Sequence, residues 1–292
     1  MNVPGADAQC PRCKGDGYAT VRDGEHVAAR VCGCVGTCPT CAGAGWIATD
    51  ATAVRSPRRP CACRKARARL ARLDEARIPG RHAASTIKSF APYERQLIKV
   101  RKHVEDVVFD WRTNEDNRGL VLYGDVGRGK THLLCAIVRE LVLTHGVSAR
   151  FVEFSHLLAD IKTGFDRGEG AGKLIDDLVS VDVLAIDELG KGRNTEFEGT
   201  VLDELVSRRY NAARPIFATT NYAPSASTGR ATPNLAVAQA DVALVDRVGA
   251  RVFSRLRETV DFLEVPGMDF RQREPNVPTN ASTGRTPRRG LE

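Results

Sequence analysis

Gly124-Asp125-Val126-Gly127-Arg128-Gly129-Lys130-Thr131 follows the apolar run Leu120-Val121-Leu122-Tyr123 and leads into a helical pattern from His132 to His145. The stretch satisfies the phosphate-binding loop G-x-x-x-x-G-K-[ST] in the strand-then-helix setting that the motif requires. Glycines at 124, 127 and 129 permit a tight turn whose N–H groups converge on phosphate oxygens at the positive end of the following helix. On this reading the loop and His132 surround a nucleoside triphosphate. Lys130 neutralises its β and γ phosphates, and Thr131 holds Mg²⁺.

Val181-Asp182-Val183-Leu184-Ala185-Ile186 reads as a buried strand that ends in the acidic pair Asp187-Glu188. An aspartate at that strand end lies beside the phosphate loop, where it can position Mg²⁺. Glu188, one step further, is placed to polarise an attacking water. A third strand, Pro215 to Thr219, runs into Thr220-Asn221. Asn221 at its tip is a candidate contact for the γ-phosphate or the lytic water. Phe151-Val152-Glu153-Phe154 reads as a further strand, and Ser155 as the cap of a helix carrying Leu157, Leu158, Ile161 and Phe165. Glu196 to Ala212 reads as another helix. Strands alternating with helices predict an α/β fold whose parallel sheet is covered on both faces, with ligands at the carboxyl ends of the strands.

Three runs carry a family resemblance: Leu184 to Gly190, Ala218-Thr219-Thr220-Asn221, and Asp246 to Leu256. Together with the lead-in Ala76-Arg77-Ile78-Pro79 they resemble the DnaC/DnaI helicase loaders and the related IstB transposition helpers, over roughly residues 76 to 272. The resemblance implies an AAA+ ATPase that binds ATP and Mg²⁺ through Thr131 and Asp187. It implies an arginine finger offered to a neighbouring subunit, Arg255 first and Arg251 second, hence self-association that makes hydrolysis conditional on assembly. Arg271 is the matching second sensor within the same subunit. The implied partners are a replicative helicase or a transposase, with single-stranded or duplex DNA. In the loaders, an element facing single-stranded DNA falls where this chain has Lys162, Arg167 and Lys173. Another class of reading is a zinc-dependent adaptor whose nucleotide site is regulatory.

The first seventy residues contain a repeat. Cys10-Pro11-Arg12-Cys13-Lys14-Gly15-Asp16-Gly17-Tyr18 recurs as Cys38-Pro39-Thr40-Cys41-Ala42-Gly43-Ala44-Gly45-Trp46, and the two copies are followed by Cys32-Gly33-Cys34 and Cys61-Ala62-Cys63. Eight of nine cysteines are thus organised as two copies of C-x2-C…C-x-C. Four thiolates per copy suit a closed tetrahedral Zn²⁺ site, giving two structural zincs and no catalytic position. Iron–sulfur ligation and disulfides are the competing readings. The two sets either pair sequentially or interleave, and His26 lies where it could replace a thiolate. The repeated unit resembles the cysteine repeats of DnaJ-type zinc domains. Cys135 falls on the apolar side of a helix and reads as a core residue.

From Arg55 to Arg81 ten lysines and arginines face two acids, Asp74 and Glu75. Ala66, Leu70 and Leu73 mark an apolar stripe at helical spacing. Such a helix lies along a phosphate backbone, serves as a solvated linker, or docks on an acidic partner. The net charge of +7 favours nucleic acid or acidic proteins. No apolar run reaches the length of a membrane span, so a cytoplasmic protein without membrane contact is expected. The expected organisation is a tandem cysteine zinc region over 1–63, a basic helix and lead-in over 64–117, the AAA+ domain over 118–272 and a disordered tail over 273–292. The polar stretch Ala223 to Ala240 is an insertion relative to the loaders. The small lid domain of larger AAA+ proteins is expected to be missing.

Overall fold

The computed structural model describes residues 1–50, 56–112, 118–166, 172–225 and 242–272. Most of the polar insertion and the whole expected tail lie outside these residues, as do Arg167 and the side chain of Phe165. Two antiparallel hairpins come first: β1 (Tyr18–Asp23) with β2 (His26–Val31), and β3 (Trp46–Ala48) with β4 (Arg58–Pro60). Helix α1 (Ala62–Glu75) and helix α2 (Arg95–Phe109) lead to the main sheet.

That sheet has five parallel strands: β5 (Gly119–Tyr123), β6 (Ala149–Glu153), β7 (Val183–Asp187), β8 (Ile216–Thr220) and β9 (Val260–Glu264). Their spatial order is β6-β7-β8-β5-β9. Helices α3 (Lys130–Glu140), α4 (Phe154–Asp166), α5 (Gly172–Ser180), α6 (Glu196–Asn211), α7 (Leu244–Val248) and α8 (Ala250–Thr259) cover it. All five residues of β7 and of β8 are buried, which explains why each opens as an apolar run without alternation, Val183 to Ile186 and Ile216 to Ala218. Two apolar clusters form, one on each face of the sheet. One joins α6 and α8 to β7 and β8 through Leu205, Leu256 and Ile186. The other joins α3 to β5 through Leu133, Leu134 and Leu122. Cys135 belongs to that second cluster, 1% exposed.

The same cluster continues into the cysteine-rich region. Val3, Tyr18, Val27 and Ala29 join it, as do Ala66, Leu70 and Leu73 of α1. The apolar stripe read from the sequence is thus the face α1 buries, and each of its leucines contributes about 1.5–3 kcal/mol. The last turn of α1 is fastened by charge. Asp74 accepts from the Ala29 amide at 2.6 Å and pairs with Arg30.

Two arginines expected on a phosphate-facing surface are already used inside the chain. Arg69 donates to the Leu143 carbonyl at 3.0 Å, and Arg72 donates to that of Gly146. These carbonyls close the π turn Leu141–His145 that follows α3, where a helix presents unpaired acceptors and partial negative charge.

The lead-in Ala76 to Pro79 is a stitch between the two regions. Ala76 O accepts from Phe151 N of edge strand β6 at 2.7 Å, and Ile78 O accepts from Val27 N of β2 at 2.7 Å. It shields an edge strand that would otherwise offer open backbone groups. Ser155 is not a helix cap. Helix α4 begins at Phe154, directly from β6, and the Ser155 hydroxyl donates back to Glu153 at 2.8 Å.

Candidate functional site

The carboxyl ends of β5, β7 and β8 converge on the glycine-rich loop. Gly124 adopts φ +136° and Gly129 φ +82°. A Cβ at Gly124 would stand 2.7 Å from the Val265 carbonyl, and one at Gly129 would stand 2.9 Å from the Phe90 ring. Both positions therefore need glycine for conformation and for space. The loop then opens onto α3, whose first residue is Lys130.

Lys130 is 7% exposed, and its ammonium donates to the Gly124 and Asp125 carbonyls at 2.7 Å each. Burial, reinforced by the neighbouring Arg128 guanidinium, pushes its pKa down to about 8. Thr131 donates to both carboxylate oxygens of Asp187, at 3.0 and 3.2 Å. Asp187 is buried, which raises its pKa, and hydrogen bonds from Thr219 and Thr131 act against that rise. A hydroxyl and a carboxylate held together beside a phosphate loop are oxygen donors suited to Mg²⁺.

Thr219 is a residue the sequence did not single out. Its hydroxyl donates to Asp187 at 2.5 Å and accepts from the Glu188 amide at 3.0 Å, so one side chain on β8 orients both acids. Nothing in a single sequence marks it, because the partner lies on the neighbouring strand. Thr219→Val is expected to raise the Mg²⁺ concentration for half-maximal turnover about tenfold, the effect of losing one hydrogen bond to a charged group. A metal titration of ATPase rate checks it, and an unchanged midpoint refutes the role.

Glu188 has φ +57°, in the left-handed region, a strained setting for a residue with a side chain. Its carboxylate accepts from Lys191 at 2.5 Å. Asn221 and Glu188 line a cavity of about 440 Å³ together with the phosphate loop, Phe90 and Arg271. Thr220 is not part of it, since its hydroxyl donates to the Leu189 carbonyl at 2.8 Å. The far wall is the short 3-10 turn Phe270–Gln272. Phe270 packs on Phe90 and Tyr93, and its amide donates to Gly127 O at 3.0 Å, tying this wall to the loop.

His132 lines the same cavity beside the loop and is held there by its neighbours. Its ring nitrogens are engaged by Ser85 at 3.3 Å, Ser89 at 3.2 Å and the Thr86 carbonyl at 3.0 Å. His82, bonded to Ser85 at 2.9 Å, is pushed down to about 4 by burial and the adjacent Arg81, so it stays neutral at neutral pH. A larger cavity of about 630 Å³ lies between the β1–β2 turn and β6. It mixes Arg77 and Arg150 with Glu153 and Asp160 and has no phosphate-binding loop, so the smaller cavity is the candidate nucleotide site.

Arg255 does not reach this cavity and does not project freely. Its guanidinium pairs with Asp203 of α6 at 2.8 Å. Arg251, one turn earlier on α8, is the more exposed of the two, with a side chain 74% accessible and 3.7 Å from the same carboxylate. Lys162 and Lys173 are exposed on α4 and α5.

The eight repeat cysteines form two sequential sets. Cys10, Cys13, Cys32 and Cys34 make one, and Cys38, Cys41, Cys61 and Cys63 the other, with all sulfurs of a set within 4.8 Å of one another. Sulfur pairs stand 3.8 and 3.5 Å apart in each set. Four ligands about 2.3 Å from a central zinc would stand ~3.8 Å apart along the tetrahedron's edges, whereas a disulfide would bring two sulfurs to ~2.0 Å. The donor sets therefore fit one ion each. Backbone amides of Cys13 and Arg12 lower Cys10 to about 7 and those of Cys41 and Thr40 lower Cys38 to about 6, whereas burial and the neighbouring cysteines push Cys34 and Cys63 up to about 12. His26 starts β2 and belongs to neither set.

The IstB-like ATP binding protein family matches residues 58–248, more than half of the chain. The replicative helicase loader DnaC of Escherichia coli strain K12 is 32% identical over 126 residues, 43% of this chain and 49% of that protein. DnaC of Buchnera aphidicola subsp. Acyrthosiphon pisum is 31% identical over 123 residues, 41% of this chain and 48% of its own. The chain thus spans about half the length of these relatives. A crystal structure of the DnaC helicase loader superposes with a TM-score of 0.54 at 24% identity, covering 64% of this chain and 99% of that one, which identifies the fold. With its phosphate loop, parallel sheet and family match taken together, the chain belongs to the IstB-like ATP-binding proteins and carries a DnaC-like AAA+ ATPase fold.

Proposed function

We propose that this protein hydrolyses ATP as a helicase-loader-like factor in DNA replication, holding a replicative helicase and single-stranded DNA in a manner set by its nucleotide state. The observation that carries the reading is the Thr131–Asp187–Thr219 constellation beside Lys130, with Glu188, Asn221 and Arg271 around one cavity. Lys130 and the loop amides would bind the phosphates, and Thr131 and Asp187 would hold Mg²⁺, which supplies charge neutralisation when bound. Glu188 would orient the attacking water after exchanging Lys191 for it. The two cysteine sets would hold two structural zincs. The similarity to DnaC supports the choice of a helicase as partner.

Hydrolysis would be completed by a neighbour's arginine. Arg251 is the better placed, because its side chain is far more exposed and its contact with Asp203 is longer, 3.7 Å against 2.8 Å for Arg255. Turnover per subunit should rise with protein concentration, and Arg251→Ala should remove that rise while leaving ATP binding intact. A concentration-independent rate contradicts trans activation.

Gel filtration with the host's replicative helicase tests the loader reading. Co-elution is expected with ATP and not with ADP, and no complex in any nucleotide state refutes it. The family match favours a second reading, a transposition helper acting on duplex DNA. That reading predicts co-elution with a transposase instead.

A further inference from the structure

The two cysteine repeats share a sequence pattern and differ in physics. Residues 1–37 carry four lysines or arginines and four acids, whereas residues 38–67 carry six cations and the single acid Asp50. The aromatic that follows each C-P-x-C-x-G-x-G unit meets opposite fates. Tyr18 is 9% exposed and sits in the core shared with the ATPase, while Trp46 is 37% exposed. Among the described residues, the first repeat gives that core Val3, Tyr18, Val27 and Ala29, and residues 38–60 give it none. One copy is the anchor. The other, among the described residues, adds no apolar side chain from 38–60 to that core and presents a different surface.

That surface has an ordered arrangement. In β3–β4, Trp46 faces Pro60 and Ala48 faces Arg58, so Trp46 and Arg58 emerge on one side of the hairpin. Arg64, on the first turn of α1, lies over the Trp46 ring at 4.3 Å. Arg67 follows one turn later, on the side of α1 away from the buried Ala66 and Leu70. Arg58, Arg59, Arg64, Lys65 and Arg67 are all exposed. This differs from the inner arginines Arg69 and Arg72, which are spent on backbone carbonyls.

We propose that this second cysteine module is a single-stranded DNA-binding surface, in which a base stacks on Trp46 while Arg58, on the same face of the hairpin, and Arg67 meet the phosphates. Cations around one accessible indole match a flexible chain of phosphates and unpaired bases, the usual composition of single-strand sites. A rigid duplex would use the cations and leave the indole idle. The inference rests on the proposed action on single-stranded DNA and adds where that DNA is held.

The test is fluorescence anisotropy of a labelled oligothymidylate with the full-length, zinc-loaded chain, read against salt. Trp46→Ala should weaken binding about tenfold and Trp46→Phe much less, because stacking tolerates any aromatic. Arg58→Ser with Arg67→Ser should weaken binding and flatten the log–log salt slope by ~1.4, the share of two phosphate contacts on a single strand. DNA should also quench Trp46, the other tryptophan, Trp111, being only 9% exposed. Unaltered zinc content and Tm in the variants show that the module still folds. Undiminished affinity in both the Trp46→Ala and the arginine variants places DNA elsewhere and overturns the inference, leaving the loader reading to stand on helicase co-elution. Equal affinity of Trp46→Ala and the unmutated chain for the oligonucleotide overturns the stacking. No binding by the unmutated chain at low salt overturns the inference and the DNA part of the loader reading together.

Discussion

Lys130→Ala is expected to abolish detectable ATP turnover by weakening nucleotide binding on the order of 100-fold, as expected for a charge-assisted contact of ~3 kcal/mol. The physical case begins with what Lys130 does without nucleotide. It is buried, carries a pKa near 8, and satisfies its ammonium only on two loop carbonyls. Phosphates would replace weak neutral acceptors with anions, which restores the charged form. The sign follows: the protonated lysine is the binding form, so ATP affinity should decline as pH rises through about 8. Glu188→Gln separates binding from chemistry. It should keep ATP affinity and lower turnover about 10²–10⁴-fold, the usual contribution of a positioned base. Calorimetric ATP titration beside a phosphate-release assay distinguishes the two variants. Hydrolysis by Lys130→Ala at the unmutated rate would remove the phosphate loop from the account.

Loss of one cysteine set is expected to have the second large effect. Metal analysis should find two zincs per chain, and Cys61→Ser should leave one and depress Tm sharply. Cys61 is 0% exposed and occupies the position before α1, and its amide donates to the Gly45 carbonyl at 2.9 Å. A metal there would fix the start of the helix that carries Ala66, Leu70 and Leu73 into the ATPase cluster. Structural zinc contributes folding free energy of ~10 kcal/mol or more in small isolated domains. Here packing against the sheet retains part of the fold, so the expected loss is several kcal/mol rather than complete unfolding. A chelator should reproduce it. Full thermal stability without metal would rule out a structural role for the thiolates.

The parts legible from sequence are those encoded by local spacing. The phosphate loop needs glycines in a fixed frame, and α1 shows its buried face because Ala66, Leu70 and Leu73 recur at helical intervals. Strands β7 and β8 announce themselves by opening as apolar runs, Val183 to Ile186 and Ile216 to Ala218. What stayed hidden depends on groups distant in the chain. Thr219 matters because β8 lies beside β7, which brings its hydroxyl to Asp187 across 32 residues. Arg69 and Arg72 read as free cations until the end of α3 is seen to supply carbonyls 74 residues later. Arg255 reads as available until Asp203 is placed opposite it on α6. Arg209 of α6 goes unmarked by local spacing, yet it is fully buried and donates to the carbonyls of Leu178, Val181, Asp182 and Pro215 at the amino ends of β7 and β8. Ser155 failed as a cap for a local reason, because α4 starts without an intervening loop.

The measurement that tests the central claim most directly is delivery of the host's replicative helicase to DNA. Strand displacement from a duplex with a single-stranded flank would be followed with helicase, ATP and this protein. The account predicts that the unmutated chain accelerates the onset of displacement and that Lys130→Ala, added in equal amount, does not. Equal onset with the unmutated chain, with Lys130→Ala and with no added protein would contradict a nucleotide-controlled loader.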